Sequence, residues 1–175
     1  VLSFLEKRRA VLGGVAITGG EPLYHQDLGI LLEEIRALGL DIKLDTNGTY
    51  PQRLADLSPG LVDFVAMDVK NAPSRYHLQG IPGMGPRIEE SVAWIQARYP
   101  RRQFRTTWVP GLNDLGEIPE MARLLGAGES LTLTGFRAGN TLDPAWSNRR
   151  SATAAELETV ARAFQEEGIR VSIVG

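Results

Sequence analysis

Val15-Ala16-Ile17-Thr18-Gly19-Gly20-Glu21-Pro22, then a striped segment over Asp27–Leu40, then Ile42-Lys43-Leu44, is the passage that decides the fold. A short β-rich run, a glycine turn, a helical stretch and a second β-rich run give the order strand, helix, strand, and parallel strands need such a crossover. Within Asp27–Leu40, Leu28, Leu31, Leu32, Ile35 and Leu38 form one stripe while Glu33, Glu34 and Arg36 fall opposite. Gly39 is placed to end the helix.

The alternation continues outward from that unit. β-rich runs near Val15–Thr18, Ile42–Leu44, Val62–Val69, Phe104–Val109, Leu131–Phe136 and Ile169–Val174 are separated by stretches of 3.6-residue period. Pro51–Leu57 reads as a short helix opened by its proline. Ile88, Val92, Ile95 and Tyr99 stripe another, stopped by Pro100. Asp114 is placed to cap a helix carrying Ile118, Met121 and Leu125. Thr153 and Glu156 have capping-box spacing ahead of Leu157, Val160, Ala161 and Phe164, and Gly168 closes that helix. The pattern predicts one α/β domain over residues 1–175, with an open parallel sheet of six strands and Val15–Thr18 at an edge.

Composition narrows the function. The chain has 175 residues, 43% hydrophobic and 23% charged, with a net charge of −2. That balance disfavours a dedicated polyanion binder, so nucleic acid is not expected as a partner. The longest stretches without Asp, Glu, Lys or Arg are eleven residues, Ala10 to Gly20 and Tyr76 to Pro86, too short for a membrane span. With no export signal and no cysteine, a cytoplasmic location is expected. The absence of cysteine also removes disulfides, thiol nucleophiles and thiolate-bound clusters. His25 and His77 are the two histidines, and neither has convincing ligand spacing. Trp94, Trp108 and Trp146 read as packing residues.

Right-handed crossovers place the carboxyl ends of parallel strands on one rim, where residues distant in sequence converge. Thr18-Gly19-Gly20-Glu21-Pro22 follows the first strand: two glycines permit close backbone approach, and a carboxylate can accept from an ammonium group. Asp45-Thr46-Asn47-Gly48 follows the second, with short polar side chains suited to hydroxyls or a cation. Met67-Asp68-Val69-Lys70 ends the third, where Lys70 can pair with a carboxylate. Trp108-Val109-Pro110-Gly111-Leu112-Asn113 and Phe136-Arg137-Ala138-Gly139-Asn140 follow the fourth and fifth. Singly, each motif is an ordinary tight turn or strand end. Three in order at successive strand ends point to an amino-acid-bearing nucleoside.

These motifs resemble those of the radical S-adenosylmethionine enzymes, and within them the activating enzymes of glycyl-radical proteins. Gly19-Gly20-Glu21-Pro22 is similar to the GGEP motif of that superfamily. Asp45-Thr46-Asn47-Gly48 and Asp68-Val69-Lys70 are similar to rim motifs of the activases. Ala66-Met67-Asp68-Val69-Lys70, Arg105-Thr106-Thr107-Trp108-Val109-Pro110 and Phe136-Arg137-Ala138-Gly139-Asn140-Thr141-Leu142 most resemble activators of the anaerobic ribonucleotide reductase.

The resemblance implies a partial (β/α) barrel that binds S-adenosylmethionine through Gly19, Gly20, Glu21, Pro22, Asp45, Asn47, Asp68, Lys70, Val109 and Asn113. Glu21 and the glycine backbone would meet the methionine ammonium and Lys70 its carboxylate. Asp45 and Asp68 would flank a monovalent cation. For an intact enzyme it further implies a [4Fe-4S] cluster, a flavodoxin or ferredoxin donor, and a glycyl-radical partner such as anaerobic ribonucleotide reductase or pyruvate formate-lyase.

Two departures stand out. Family members carry a CxxxCxxC loop ahead of the helix that here begins at Val1, and this chain has no cysteine. Gly135 also stands where many reductase activators have glutamine. Val1–Arg9 has helical spacing without a cap or start codon, so the expectation is a carboxyl-terminal portion of such an enzyme, unable by itself to cleave S-adenosylmethionine. The rival reading is a clusterless domain for nucleoside binding or protein interaction.

Overall fold

The computed structural model describes residues 1–80, 82–139, 146 and 149–174, except the side chain of Gln79. Six strands follow chain order in one open parallel sheet: β1 (Gly14–Ile17), β2 (Asp41–Thr46), β3 (Phe64–Asp68), β4 (Arg102–Trp108), β5 (Ser130–Gly135) and β6 (Arg170–Val174). β1 lies at an edge, as expected. The chain forms two compact units, Val1–Asp68 with Glu90–Arg102, and Val69–Glu89 with Gln103–Gly175.

In the first unit, β1, β2 and β3 are joined by α2 (Leu28–Ala37) and α3 (Pro51–Ala55), with α1 (Leu2–Arg8) preceding β1. The stripe read from sequence becomes the packed face of α2: Leu32 and Ile35 are fully buried, while Glu33 and Glu34 are exposed. Gly39, at φ 77°, takes the left-handed turn that ends the helix. Along β2, Ile42, Leu44 and Thr46 are buried, whereas Lys43 and Asp45 are half-buried on the other face. Parallel register sets Lys43 beside Phe64 and Asp45 beside Ala66.

A polar lock ties α2 to the entry of β3. Arg36 Nη2 donates to Asp63 Oδ2 at 2.6 Å and to the carbonyl of Leu61 at 3.1 Å, and the Ile42 amide donates to the same Asp63 oxygen at 2.7 Å. Burial alone would raise the Asp63 pKa; the Ile42 amide and the Arg36 guanidinium outweigh it and hold the carboxyl below its ordinary value.

A 3-10 segment (Pro73–Gln79) and the first turn of α4 (Gly85–Arg98) belong to the second unit, the rest of α4 to the first; from Gln103 on, β4, β5 and β6 alternate with α5 (Ile118–Leu125) and α6 (Ala154–Glu166) in the second unit. Asp114 does make a capping box, but with Glu117 over a 3-10 turn (Leu115–Glu117), and α5 starts only at Ile118. Proline at position 119 cannot donate and suits that first turn. α6 has the expected Thr153 and Glu156 box, and Gly168 follows it at φ 83°.

Two further contacts pin the 3-10 segment to α5. Ser74 donates through its amide and hydroxyl to the two Glu120 oxygens at 2.8 and 2.6 Å, and Arg75 lies 3.0 Å from Glu117. Burial pushes the Glu117 carboxyl up against the opposing pull of Arg75. A Cβ at Gly135 would come within 3.0 Å of Leu157 Cδ1 and 3.2 Å of Ala152 Cβ, so Leu157 of α6 and Ala152 before it leave little room for a side chain there.

Candidate cofactor-binding site

The first-unit part of the site begins where β1 stops. Gly19 and Gly20 have φ of 93° and 40°, a region that disfavours side chains, and a Cβ on either would meet nothing within 4 Å. Open space therefore lies where side chains would stand, and of the backbone groups in such a turn the carbonyls are the ones able to accept from an ammonium group. Pro22 is buried and opens the 3-10 turn Pro22–Tyr24.

Glu21 accepts three hydrogen bonds from within the protein. Its Oε1 accepts from the Leu23 amide at 3.1 Å and the Thr46 hydroxyl at 2.9 Å, and its Oε2 accepts from the Asn47 amide at 2.6 Å. The carboxylate is therefore a staple between the loops after β1 and β2. Three of about four acceptor positions are spent, so the exposed glycine backbone is the better ammonium acceptor. Thr46, whose own role sequence reading left unassigned, completes the staple: it is 3% exposed and its Oγ1 also accepts from the Gly48 amide at 3.1 Å.

Asn47 Oδ1 accepts from the Thr49 amide at 3.0 Å and the Thr49 hydroxyl at 2.7 Å, leaving Nδ2 as the group it offers a ligand. Asp45 pairs with Lys43 at 2.8 Å along the same strand face. Asp68, half-buried, ends β3.

In the second unit, Lys70 is exposed just beyond β3. Its backbone is held at both ends: the amide donates to Tyr76 Oη at 2.9 Å, and Asn113 Nδ2 donates to its carbonyl at 2.9 Å. Asn113 also donates to Asn71 Oδ1 at 3.0 Å and accepts the Val109 amide at 2.8 Å. Val109 and Asn113 are buried, and the Val109 carbonyl accepts from the Leu112 and Asn113 amides at 3.0 Å each. The polar groups of both thus close an internal turn.

Phe136–Gly139 leaves β5, whereas Asn140, Thr141 and Leu142 of that motif lie outside the described residues. Trp108 is buried as expected, Trp94 carries Arg98 over its ring at 5.3 Å, and Trp146 meets Phe136 edge-on at 6.3 Å. His25 and His77 are exposed. Among the described residues no helix is long and apolar enough to cross a membrane.

Taken residue by residue, the chemistry is compatible with parts of S-adenosylmethionine: glycine carbonyls can accept from an ammonium group, and a lysine can pair with a carboxylate. A [4Fe-4S] cluster does not fit this chain. It has no cysteine, and among the described residues no group of three His, Asp or Glu side chains could hold a metal.

The Radical SAM superfamily profile matches residues 3–125. A Methanocaldococcus jannaschii protein named as a glycyl-radical enzyme activating enzyme is 30% identical over 116 residues, covering 62% of this chain and 48% of that protein. The benzylsuccinate synthase activating enzyme of Thauera aromatica is 26% identical over 180 residues, covering 93% and 54%. The chain thus spans about half the length of these curated relatives. In fold, a domain of pyruvate-formate lyase-activating enzyme from Bacteroides vulgatus superposes with a TM-score of 0.69 at 18% identity, over 93% of this chain and 99% of that one. With a profile match across most of its length, this chain belongs to the radical SAM superfamily.

Proposed function

We propose that this chain holds and orients S-adenosylmethionine in an activating enzyme whose protein substrate is a glycyl-radical enzyme. The observation that carries the reading is the Gly19-Gly20 turn, which has open space where side chains would stand and is stapled through Glu21 to the Asn47 loop. In the proposed arrangement the Gly19 and Gly20 carbonyls accept from the methionine ammonium, Lys70 pairs with the carboxylate, and Asn47 Nδ2 donates to the nucleoside. Reductive cleavage of S-adenosylmethionine would need an electron from a cluster that the residues of this chain do not hold, so the part proposed for the chain is to bind the molecule and set which of its atoms faces the partner. The names of the relatives support a glycyl-radical enzyme as that partner. The motifs at Ala66–Lys70 and Arg105–Pro110 favour anaerobic ribonucleotide reductase over pyruvate formate-lyase. A flavodoxin or ferredoxin donor belongs to the same reading.

The second reading is a clusterless nucleoside-binding or protein-interaction domain, which a longer reading frame also lacking cysteines ahead of Val1 would favour. Calorimetric titration with S-adenosylhomocysteine tests the first. Saturable 1:1 binding that Lys70→Ala weakens about tenfold, the scale of one charge-assisted contact, supports it. Binding indifferent to Lys70→Ala overturns the carboxylate assignment, and an absence of nucleoside binding favours the protein-interaction form of the rival.

A further inference from the structure

We propose that Tyr76 and Asn113 are positioning residues for Lys70, fixing its Cα so that the ammonium meets the cofactor carboxylate. This inference rests on the role proposed for Lys70 above. β3 ends at Asp68, and the neighbouring ladder reaches the Val69 amide, which donates to the Arg105 carbonyl at 2.7 Å. A residue past that point would ordinarily give its backbone groups to water. Here two side chains from later in the sequence take both: Tyr76 Oη receives the Lys70 amide, and Asn113 Nδ2 meets the carbonyl.

The two holders are themselves fixed. Tyr76 is 4% exposed and Asn113 is 8% exposed, and Asn113 is locked by Asn71 and the Val109 amide. Packing alone does not require the phenolic oxygen, because a phenylalanine fills nearly the same volume. The hydroxyl oxygen accepts the amide of Lys70 at 2.9 Å. A lysine has four rotatable side-chain bonds, so the accuracy with which its ammonium is delivered depends on how tightly its Cα is held. Anchoring the backbone lowers the ordering cost left for binding.

The test titrates the full chain with S-adenosylhomocysteine and with its decarboxylated analogue, using Tyr76→Phe, Asn113→Asp, Lys70→Ala and the Tyr76→Phe/Lys70→Ala double variant. The proposal expects Tyr76→Phe and Asn113→Asp each to weaken S-adenosylhomocysteine about three- to tenfold while leaving the decarboxylated analogue unchanged. It also expects Tyr76→Phe to add no loss once Lys70 is alanine. Equal weakening of both ligands, or a full additional loss in the double variant, would show a structural role and overturn the proposal. Unchanged S-adenosylhomocysteine affinity in Lys70→Ala would instead refute the role of Lys70 itself. Collapse of both single variants, seen by circular dichroism, would assign Tyr76 and Asn113 to the fold and also overturn it.

Discussion

Replacing Glu21 separates a ligand-binding role from a loop-stapling one. Glu21→Ala removes the acceptor of three donors, one of them the hydroxyl of Thr46, which is 3% exposed. Leaving the proton of that hydroxyl without its Glu21 acceptor, while its oxygen keeps the Gly48 amide, costs about 1–3 kcal/mol, and the more accessible Asn47 amide adds about 0.5–1.5 kcal/mol because water replaces part of its bond. The expected loss is therefore about 2–4 kcal/mol. Glu21→Gln keeps one oxygen and turns an amide nitrogen toward at least one donor, for a loss of about 1–2 kcal/mol. With a urea slope of ~2 kcal/mol/M, midpoints fall by about 1–2 M for alanine and about 0.5–1 M for glutamine. Circular dichroism reads the midpoints, and amide exchange at Asn47 shows whether the opening is local. Midpoints of both variants within about 0.2 M of wild type, together with unchanged Asn47 exchange, would refute the staple.

Other expectations follow from individual contacts. Gly19→Ala, though sterically open, places a side chain at φ 93° and should cost about 1–2 kcal/mol in thermal or urea unfolding. Gly135→Gln should cost about 1–3 kcal/mol, because Leu157 and Ala152 already close over that position; an unchanged melting temperature would count against the packing argument. Asp63→Asn should destabilise at neutral pH. The folded Asp63 pKa is depressed, so its contribution is present above the ordinary value of 3.8 and disappears as the pH falls through the lower folded value. The gap between wild type and Asp63→Asn should accordingly close in acid, and a pH-independent gap would exclude the linkage.

The fold was legible because helix and strand periods alternate cleanly: the Leu28–Leu38 stripe, the glycine at position 39 and the Thr153–Glu156 box each name a local structure that tertiary packing has no reason to override. The Asp114 capping box was also legible, but its pattern does not distinguish a 3-10 turn from the first turn of α5. At the site, the glycine turn and the exposed Lys70 could be read from residue type and position. The internal contacts of Glu21 and Asn113 could not, since a carboxylate or amide motif does not say whether it also bonds a hydroxyl 25 residues away or a carbonyl 43 residues away. Tyr76 carried no signal for the same reason: a tyrosine before a glycine-rich stretch reads as packing, and only the fold brings its hydroxyl to the Lys70 amide.

The most direct test of the central claim follows the backbone amide resonances of the isotope-labelled chain during titration with S-adenosylhomocysteine. Gly19, Gly20 and Asn47 belong to the first compact unit and Lys70 to the second. If all hold one ligand, their shifts should move along a single common binding curve, and Lys70→Ala should displace that curve to higher concentration for every one of them. Shifts confined to one unit, separate midpoints for the glycines and Lys70, or no shifts at saturating ligand would contradict the claim that these residues hold S-adenosylmethionine.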